Sequence, residues 1–212
     1  MTIGIHQPNF FPHQGFFEKM SKSDVFVLLD NVQYEKDSFT NRTWIKTPKG
    51  KQWLTFAIKN KFPQMIKDVE FADFDRDRKK HLKAIEYNYK KAKNFDRFPL
   101  IEKLYEGDWD KLSGFNIRII RDIAKGLKIQ PKIEVASQYN FKGQSTELLI
   151  DICKQFEADT YLSGIGGRNY QDEESFKKAG IKVEYHEANN SEYPQLWGDF
   201  VPGLFILDFI LN

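Results

Sequence analysis

The opening stretch MTIGIHQPNFFPHQGFFEKMSKSDVFVLLDNVQY, residues 1–34, decides the fold. Thr2–His6 is short and apolar, and Pro8 and Pro12 stop it by removing backbone donors. From His13 to Ser21, Phe16, Phe17 and Met20 recur along one side at helical spacing. Val25–Leu29 is a continuous apolar run ending at Asp30, the pattern of a strand covered on both faces. Strand, helix and strand within about 30 residues predict a βαβ unit with parallel strands and a right-handed crossover.

The same alternation returns towards the other end. Ile133–Ala136 reads as a strand, Thr146–Phe156 as a helix and Thr160–Ser163 as a strand. Asp172–Ala179 is a helix closed by Gly180, Ile181–His186 a last strand, and Leu204–Leu211 a docked apolar helix. Between the two ends, Arg42–Thr47 and Lys51–Ile58 flank Pro48-Lys49-Gly50 as a hairpin. A Lys- and Arg-rich excursion follows, with helices over Phe74–Ala92, Phe98–Tyr105 and Asp110–Leu127. Nothing repeats and no low-complexity linker marks a boundary. The expectation is an α/β fold: a mainly parallel Rossmann-like sheet with a β-hairpin and a helical insertion at about 74–127, in one domain spanning 1–212.

Charge and composition narrow the function. Lys plus Arg number 32 against 30 Asp plus Glu, a formal charge of +2, which argues against bulk nucleic-acid binding. Aromatic residues reach 15%, led by 19 Phe, enough to pack a core and line a cleft. The single cysteine, Cys153, sits in an apolar helical pattern and fits a reducing compartment. The first residues lack the zones of a signal peptide, and no apolar run is long enough to cross a bilayer. These features predict a cytoplasmic protein with no membrane insertion; they leave its oligomeric state open.

Two constellations carry chemistry. In the first, His6 ends a strand and His13 begins a helix, with Gln7, Asn9, Gln14 and Gly15 between and beside them. Ligands of open parallel sheets collect at the carboxyl ends of strands, where helix N-termini favour anions. Gly15 lets a phosphate approach the backbone, and His6 and His13 would stabilise phosphoryl charge or shuttle protons. Asp30 suits a ribose, an amine or a metal ion; equally, Asp30-Asn31 makes a turn. Asn41 and Arg42 open the hairpin, and Lys46 shares the face of Arg42, as an anion clamp or as a solvated strand edge. A metal site joining His6, His13, Asp30 and His186 is the minor reading, so no metal ligand is assigned.

The second constellation is Ser163-Gly164-Ile165-Gly166-Gly167-Arg168, followed by Asn169 and Tyr170. Its glycines expose backbone N–H groups, Ser163 adds a hydroxyl and Arg168 a fixed charge, so it reads as an anion-binding loop; the plain alternative is a tight turn. It lacks the ending of a phosphate-binding Walker loop. His186 falls on the same edge if the sheet is parallel. His81, in the charged helix, is expected at the surface, and Cys153 in the core.

HQPNFFPHQGFFEKM, VFVLLDNVQY and NRTWI, with the later YLSGIGGRNY, GIKVEYH and GLFILDFILN, resemble the WbqC-like family over nearly the whole chain. The resemblance implies a place among bacterial surface-polysaccharide, or O-antigen and lipopolysaccharide, enzymes. It further implies modification of a nucleotide-linked amino sugar by acyl or aminoacyl transfer. His13-Gln14-Gly15-Phe16 is also similar to the H-x-G-H signature of nucleotidyltransferases and adenylate-forming synthetases, whose histidines stabilise attack on the α-phosphate of a nucleotide. Phe16 stands where the second histidine belongs, a departure that His6 would have to make good from the strand end. ATP and Mg2+ are the cofactors so implied, with a small-molecule nucleotide or nucleotide-sugar as partner. A non-catalytic sugar- or partner-binding module and a metal-dependent hydrolase are the alternatives.

Overall fold

The computed structural model describes all 212 residues except Asn60, Tyr170 and Asn190. In chain order the strands and α-helices are β1 (Thr2–His6), α1 (Gln14–Ser21), β2 (Val25–Leu28), β3 (Arg42–Thr47), β4 (Gly50–Thr55), α2 (Phe74–Tyr89), α3 (Phe98–Leu104), α4 (Leu112–Gly126), β5 (Lys132–Val135), α5 (Ser145–Gln155), β6 (Thr160–Gly164), α6 (Glu173–Lys178), β7 (Lys182–His186) and α7 (Ile206–Leu211). The chain forms two compact units, each assembled from separate segments.

The first unit comprises Met1–Gln7, Gly15–Asn31 and Ala124–Asn189. It holds a five-stranded sheet in the order β5-β2-β1-β6-β7, and every neighbouring pair is parallel. The predicted α/β class with a parallel sheet and a separate hairpin is thus what forms. All four β2 residues are buried, as the uninterrupted apolar run requires of a strand covered on both faces. Gly4 lets β1 sit close to its neighbours: a Cβ there would lie 2.5 Å from Ser23 Oγ and 2.7 Å from the Phe26 ring. At the amino edge, Asp24 accepts from Thr2 N at 2.7 Å, and its carbonyl accepts from Lys132 N at 3.0 Å, joining three strand starts. Cys153 is fully buried, and burial pushes its thiol up to about 12, the behaviour of a core residue rather than a nucleophile.

The second unit comprises Pro8–Gln14, Val32–Ile123 and Asn190–Asn212. Strands β3 and β4 pair antiparallel from Arg42↔Thr55 to Thr47↔Gly50, so Pro48 and Lys49 make the turn and Gly50 takes the φ of +99° that favours glycine. The strand expected to run to Ile58 ends at Thr55, because Ala57 N is drawn off to Asp77 Oδ2 at 2.7 Å. Phe56, fully buried, becomes the hub of an aromatic cluster with Phe10, Phe71, Phe74 and Phe115.

His81 belongs to this cluster and corrects the expectation that it is exposed. Its helix is charged on the outward side, and of its charged residues buried Asp77 alone faces inward with it. Inward, the His81 ring lies 4.6 Å from that of Phe56, Nε2 lies 3.1 Å from the Thr55 carbonyl, and 3% of the residue is exposed. Burial lowers its pKa to about 4, which keeps the imidazole neutral. The last helix is anchored by Asp208, fully buried, which accepts from Tyr89 at 2.7 Å and Tyr193 at 2.8 Å. Burial raises its pKa against those two bonds.

Candidate active-site edge

The first unit brings His6, Asp30, Ser163, Gly164 and His186 to one rim. His6 is the last residue of β1 and Gly164 of β6; Gly164 is in register with His186, the last residue of β7. Asp30 follows β2 by two residues. Strand β2, next after β1 in the chain, lies to one side of it, while β7 lies beyond β6 on the other. The chain therefore reverses its direction across the sheet between β1 and β6. Crevices outside the carboxyl ends of strands at such a reversal are where open parallel sheets bind ligands. His6 and Ser163-Gly164 stand on its two sides.

His6 is half-buried, with Nδ1 3.0 Å from the Gln7 carbonyl. That contact suits an Nδ1–H donor and makes Nε2 the basic nitrogen. The imidazole packs edge-on against Phe16, with ring centroids 4.9 Å apart. Phe16 is itself wedged against Phe17 and Phe26. The residue that departs from the H-x-G-H pattern is thus in contact with an imidazole from the adjoining strand end. Gly15 is buried beside it.

The Ser163–Arg168 segment is not an open loop. Strand β6 runs through Ser163 to Gly164, and Ile165–Asn169 coils into a 3-10 turn. Ser163, 1% exposed, accepts from Gln171 Nε2 at 2.9 Å and donates to the Gly164 carbonyl at 3.1 Å. Gly167 is required by this packing, since a Cβ there would sit 2.2 Å from Ser163 Oγ. Gly164 and Gly166 differ. Neither has a positive φ, and a Cβ on either would meet nothing within 4 Å among the described residues. Arg168 is exposed and stacks over Tyr185, 4.6 Å from the ring centroid. Tyr170, named with this group, lies outside the described residues.

Asp30 is 3% exposed, and both oxygens are engaged: Oδ1 accepts from Ser137 N at 2.8 Å and Oδ2 from Ser137 Oγ at 2.7 Å. It ties the end of β2 to the 3-10 turn after β5, so its geometry is that of a clamp. Among the described residues, no group of three or more His, Cys, Asp or Glu is arranged to hold a metal ion.

Sequence reasoning missed two charged residues of α1, Glu18 and Lys19, and Lys22 just after it. Lys19 is 3% exposed; its Nζ donates to the Ile5 carbonyl at 2.8 Å and lies 5.5 Å from the Phe26 ring centroid. Burial lowers its pKa to about 7. Glu18 and Lys22 flank His186: Glu18 Oε2 is 3.6 Å from Nε2 and Lys22 Nζ 3.4 Å from Nδ1. Burial, then the Lys22 charge, holds His186 below its usual pKa. The available signal was spacing, because Lys19 occupies the i+3 position from Phe16, on the inward side of α1.

The remaining expected residues belong to the second unit. Asn9 is half-buried, His13 exposed and Gln14 half-buried at the first position of α1. The segment bearing His13 is fixed along its length. Pro8 O accepts from Asn116 Nδ2 at 2.8 Å, Phe10 N donates to Phe39 O at 2.9 Å, and Pro12 O accepts from Ile206 N at 2.9 Å. Asn41 is buried between Tyr34 Oη and the Phe56 carbonyl. Arg42 bonds Asp37 and stacks over Trp53 at 4.2 Å. Lys46, expected as part of an anion clamp with a solvated edge as the alternative, is no solvated edge: 2% exposed, it bonds Gln195 Oε1 at 3.0 Å and the Asp199 carbonyl. Both cations already hold internal partners.

A five-stranded parallel sheet whose strand order reverses between β1 and β6, with helices between its strands, defines a Rossmann-like α/β protein. The chain belongs to the WbqC-like protein family, whose model matches residues 7–212. It is 33% identical over 215 aligned positions to uncharacterized protein Rv1507c of Mycobacterium tuberculosis, covering 99% of this chain and 93% of the relative. No solved structure matches it. No helix among the described residues is long and apolar enough to cross a membrane.

Proposed function

We propose that the chain is a nucleotide-dependent transferase whose anionic substrate sits at the β1–β6 edge. One observation carries this reading: Gly164 and Gly166 are glycines although neither φ nor any described neighbour demands it. Side chains there would take up open space at the carboxyl end of β6, where a phosphate would approach backbone N–H groups. The family resemblance supplies the finer reading, acyl or aminoacyl transfer to a nucleotide-linked amino sugar of a bacterial surface polysaccharide.

In that reaction a carboxylate oxygen attacks the α-phosphorus of ATP, and the bond to pyrophosphate breaks. The sugar amine then attacks the acyl carbon, AMP leaves, and the amine gives up one proton. His6, protonated, would stabilise charge on the α-phosphate; neutral, its Nε2 would take the amine proton. Mg2+ would arrive on the triphosphate, as it commonly does, rather than in a cage of protein ligands.

The test is thermal shift with ATP, nucleotide-sugars and magnesium, followed by pyrophosphate exchange with a panel of amino and acyl acids. Gly164→Val is expected to keep the melting temperature of the free protein and lose the ligand shift. A flat response of the native chain to every nucleotide would refute the reading. A non-catalytic sugar-binding module has one observation in its favour, the half-exposed Trp53 with exposed Phe39 5.6 Å away. His6→Ala separates the two, because an enzyme loses turnover while keeping its ligand.

A further inference from the structure

We infer that helix α2 is a docking ridge for an anionic phospholipid surface, on which the protein lies without inserting. At 100° per residue, Arg76, Lys79, Lys80, Lys83, Tyr87 and Lys90 fall within about 100° of the helix circumference. All six are exposed, and Tyr87, at 70%, stands between Lys83 and Lys90 towards the end of the row. Lys91 and Lys93, also exposed, follow directly. The opposite side is the aromatic core, through buried Phe74, His81, Ile85 and Tyr89.

Most of the ridge is uncommitted. Arg76 bonds Asp77 at 2.9 Å, but Lys79, Lys80, Lys83 and Lys90 have no acidic partner within salt-bridge distance among the described residues. Asp75 and Glu86 border one side only, and Asp75 is taken by Arg78 at 2.9 Å. Several lysines held side by side repel one another, so a helix that concentrates them gains from an external anion.

The shape selects a flat partner. The row is about 22 Å long on one side of a single helix, and the chain as a whole carries a formal charge of only +2. A polyanion that wraps would need a basic track continuing elsewhere, whereas a planar headgroup layer needs one convex ridge of long side chains. Lysine stems reach such a layer, and tyrosine, with an apolar ring and a polar tip, favours the membrane–water boundary. Lys90 Nζ lies 5.8 Å from the Tyr87 ring centroid, grouping the charge around that ring.

The experiment is sedimentation of the full chain with vesicles of phosphatidylcholine containing 30% phosphatidylglycerol, against pure phosphatidylcholine, at 50 and 300 mM salt. Binding is expected only on the anionic vesicles, and mostly lost at the higher salt. Lys79→Glu/Lys80→Glu/Lys83→Glu should weaken it at least tenfold with an unchanged melting temperature, and Tyr87→Ala a few-fold. Lys177→Glu/Lys178→Glu on α6 should leave it within twofold. Equal binding to neutral vesicles, no binding at 50 mM salt, or indifference to the triple substitution would overturn the inference. So would tighter binding of a single- or double-stranded oligonucleotide through the same lysines, which would make the ridge a nucleic-acid surface.

Discussion

Lys19→Met gives the sharpest test of the electrostatics behind the carboxyl edge. In the native chain the Lys19 ammonium is buried over an aromatic ring and lowered from 10.5 to about 7, with burial the cause. Between those two values the unfolded chain carries a proton that the folded chain does not, so stability rises with pH across that window. Below about pH 7 both states are protonated, and the full cost of burying the charge remains. From pH 6 to 9.5 this one group adds about 3 kcal/mol to native stability. Methionine keeps the length and apolar packing, carries no charge, and forfeits the bond to Ile5 O, worth about 1 kcal/mol. The variant should therefore be the more stable protein at pH 6, by about 4 kcal/mol, and that advantage should shrink to well under about 1 kcal/mol by pH 9.5. The assay is urea unfolding followed by far-ultraviolet circular dichroism at half-unit steps over that range. The upper limit stays below the region where Tyr34, pushed up to about 12, and the other buried tyrosines begin to lower stability. Parallel curves for the two proteins across this range would refute the reasoning.

Other consequences are equally direct. His81, neutral in the core with its pKa lowered to about 4, should cost the protein up to about 3 kcal/mol as pH falls from 6.5 to 4, measured as a falling urea midpoint that His81→Phe flattens. Gly167→Ala should destabilise by about 1–3 kcal/mol, because its Cβ collides with Ser163 Oγ, whereas Gly164→Ala should change the melting temperature little. Asp30→Ala should cost about 3 kcal/mol in chemical denaturation by releasing both bonds to Ser137, and a smaller loss would show that the clamp is replaced by water.

Much of the first unit was legible because its signals are local and periodic. The unbroken apolar run at Val25–Leu28 could only be a doubly covered strand, and the parallel register then placed His6, Gly164 and His186 on one edge. What escaped was decided by contacts distant in sequence. Lys46 looks like a solvated strand residue until Gln195 and Asp199 close over it, and His81 like a surface residue until Phe56 arrives. The turn after Ser163 reads as an open glycine loop because nothing local says that Gln171 fills the space beside the hydroxyl. Charges on an inward helical position, as at Lys19, are the one part of the candidate site that stricter attention to spacing would have found.

The backbone at Phe11 has a φ of +38°, unusual for a bulky residue, while its ring is fully buried against Tyr105 and Phe205. A conformation of that kind costs about 1–3 kcal/mol and persists only where packing enforces it. Two residues later comes His13, so the imidazole stands on main chain whose freedom was surrendered during folding. A molecule that engages His13 forfeits no loop entropy there, and the segment is a poor candidate for a moving lid. Relaxing Phe11 would make His13 mobile long before it made it absent.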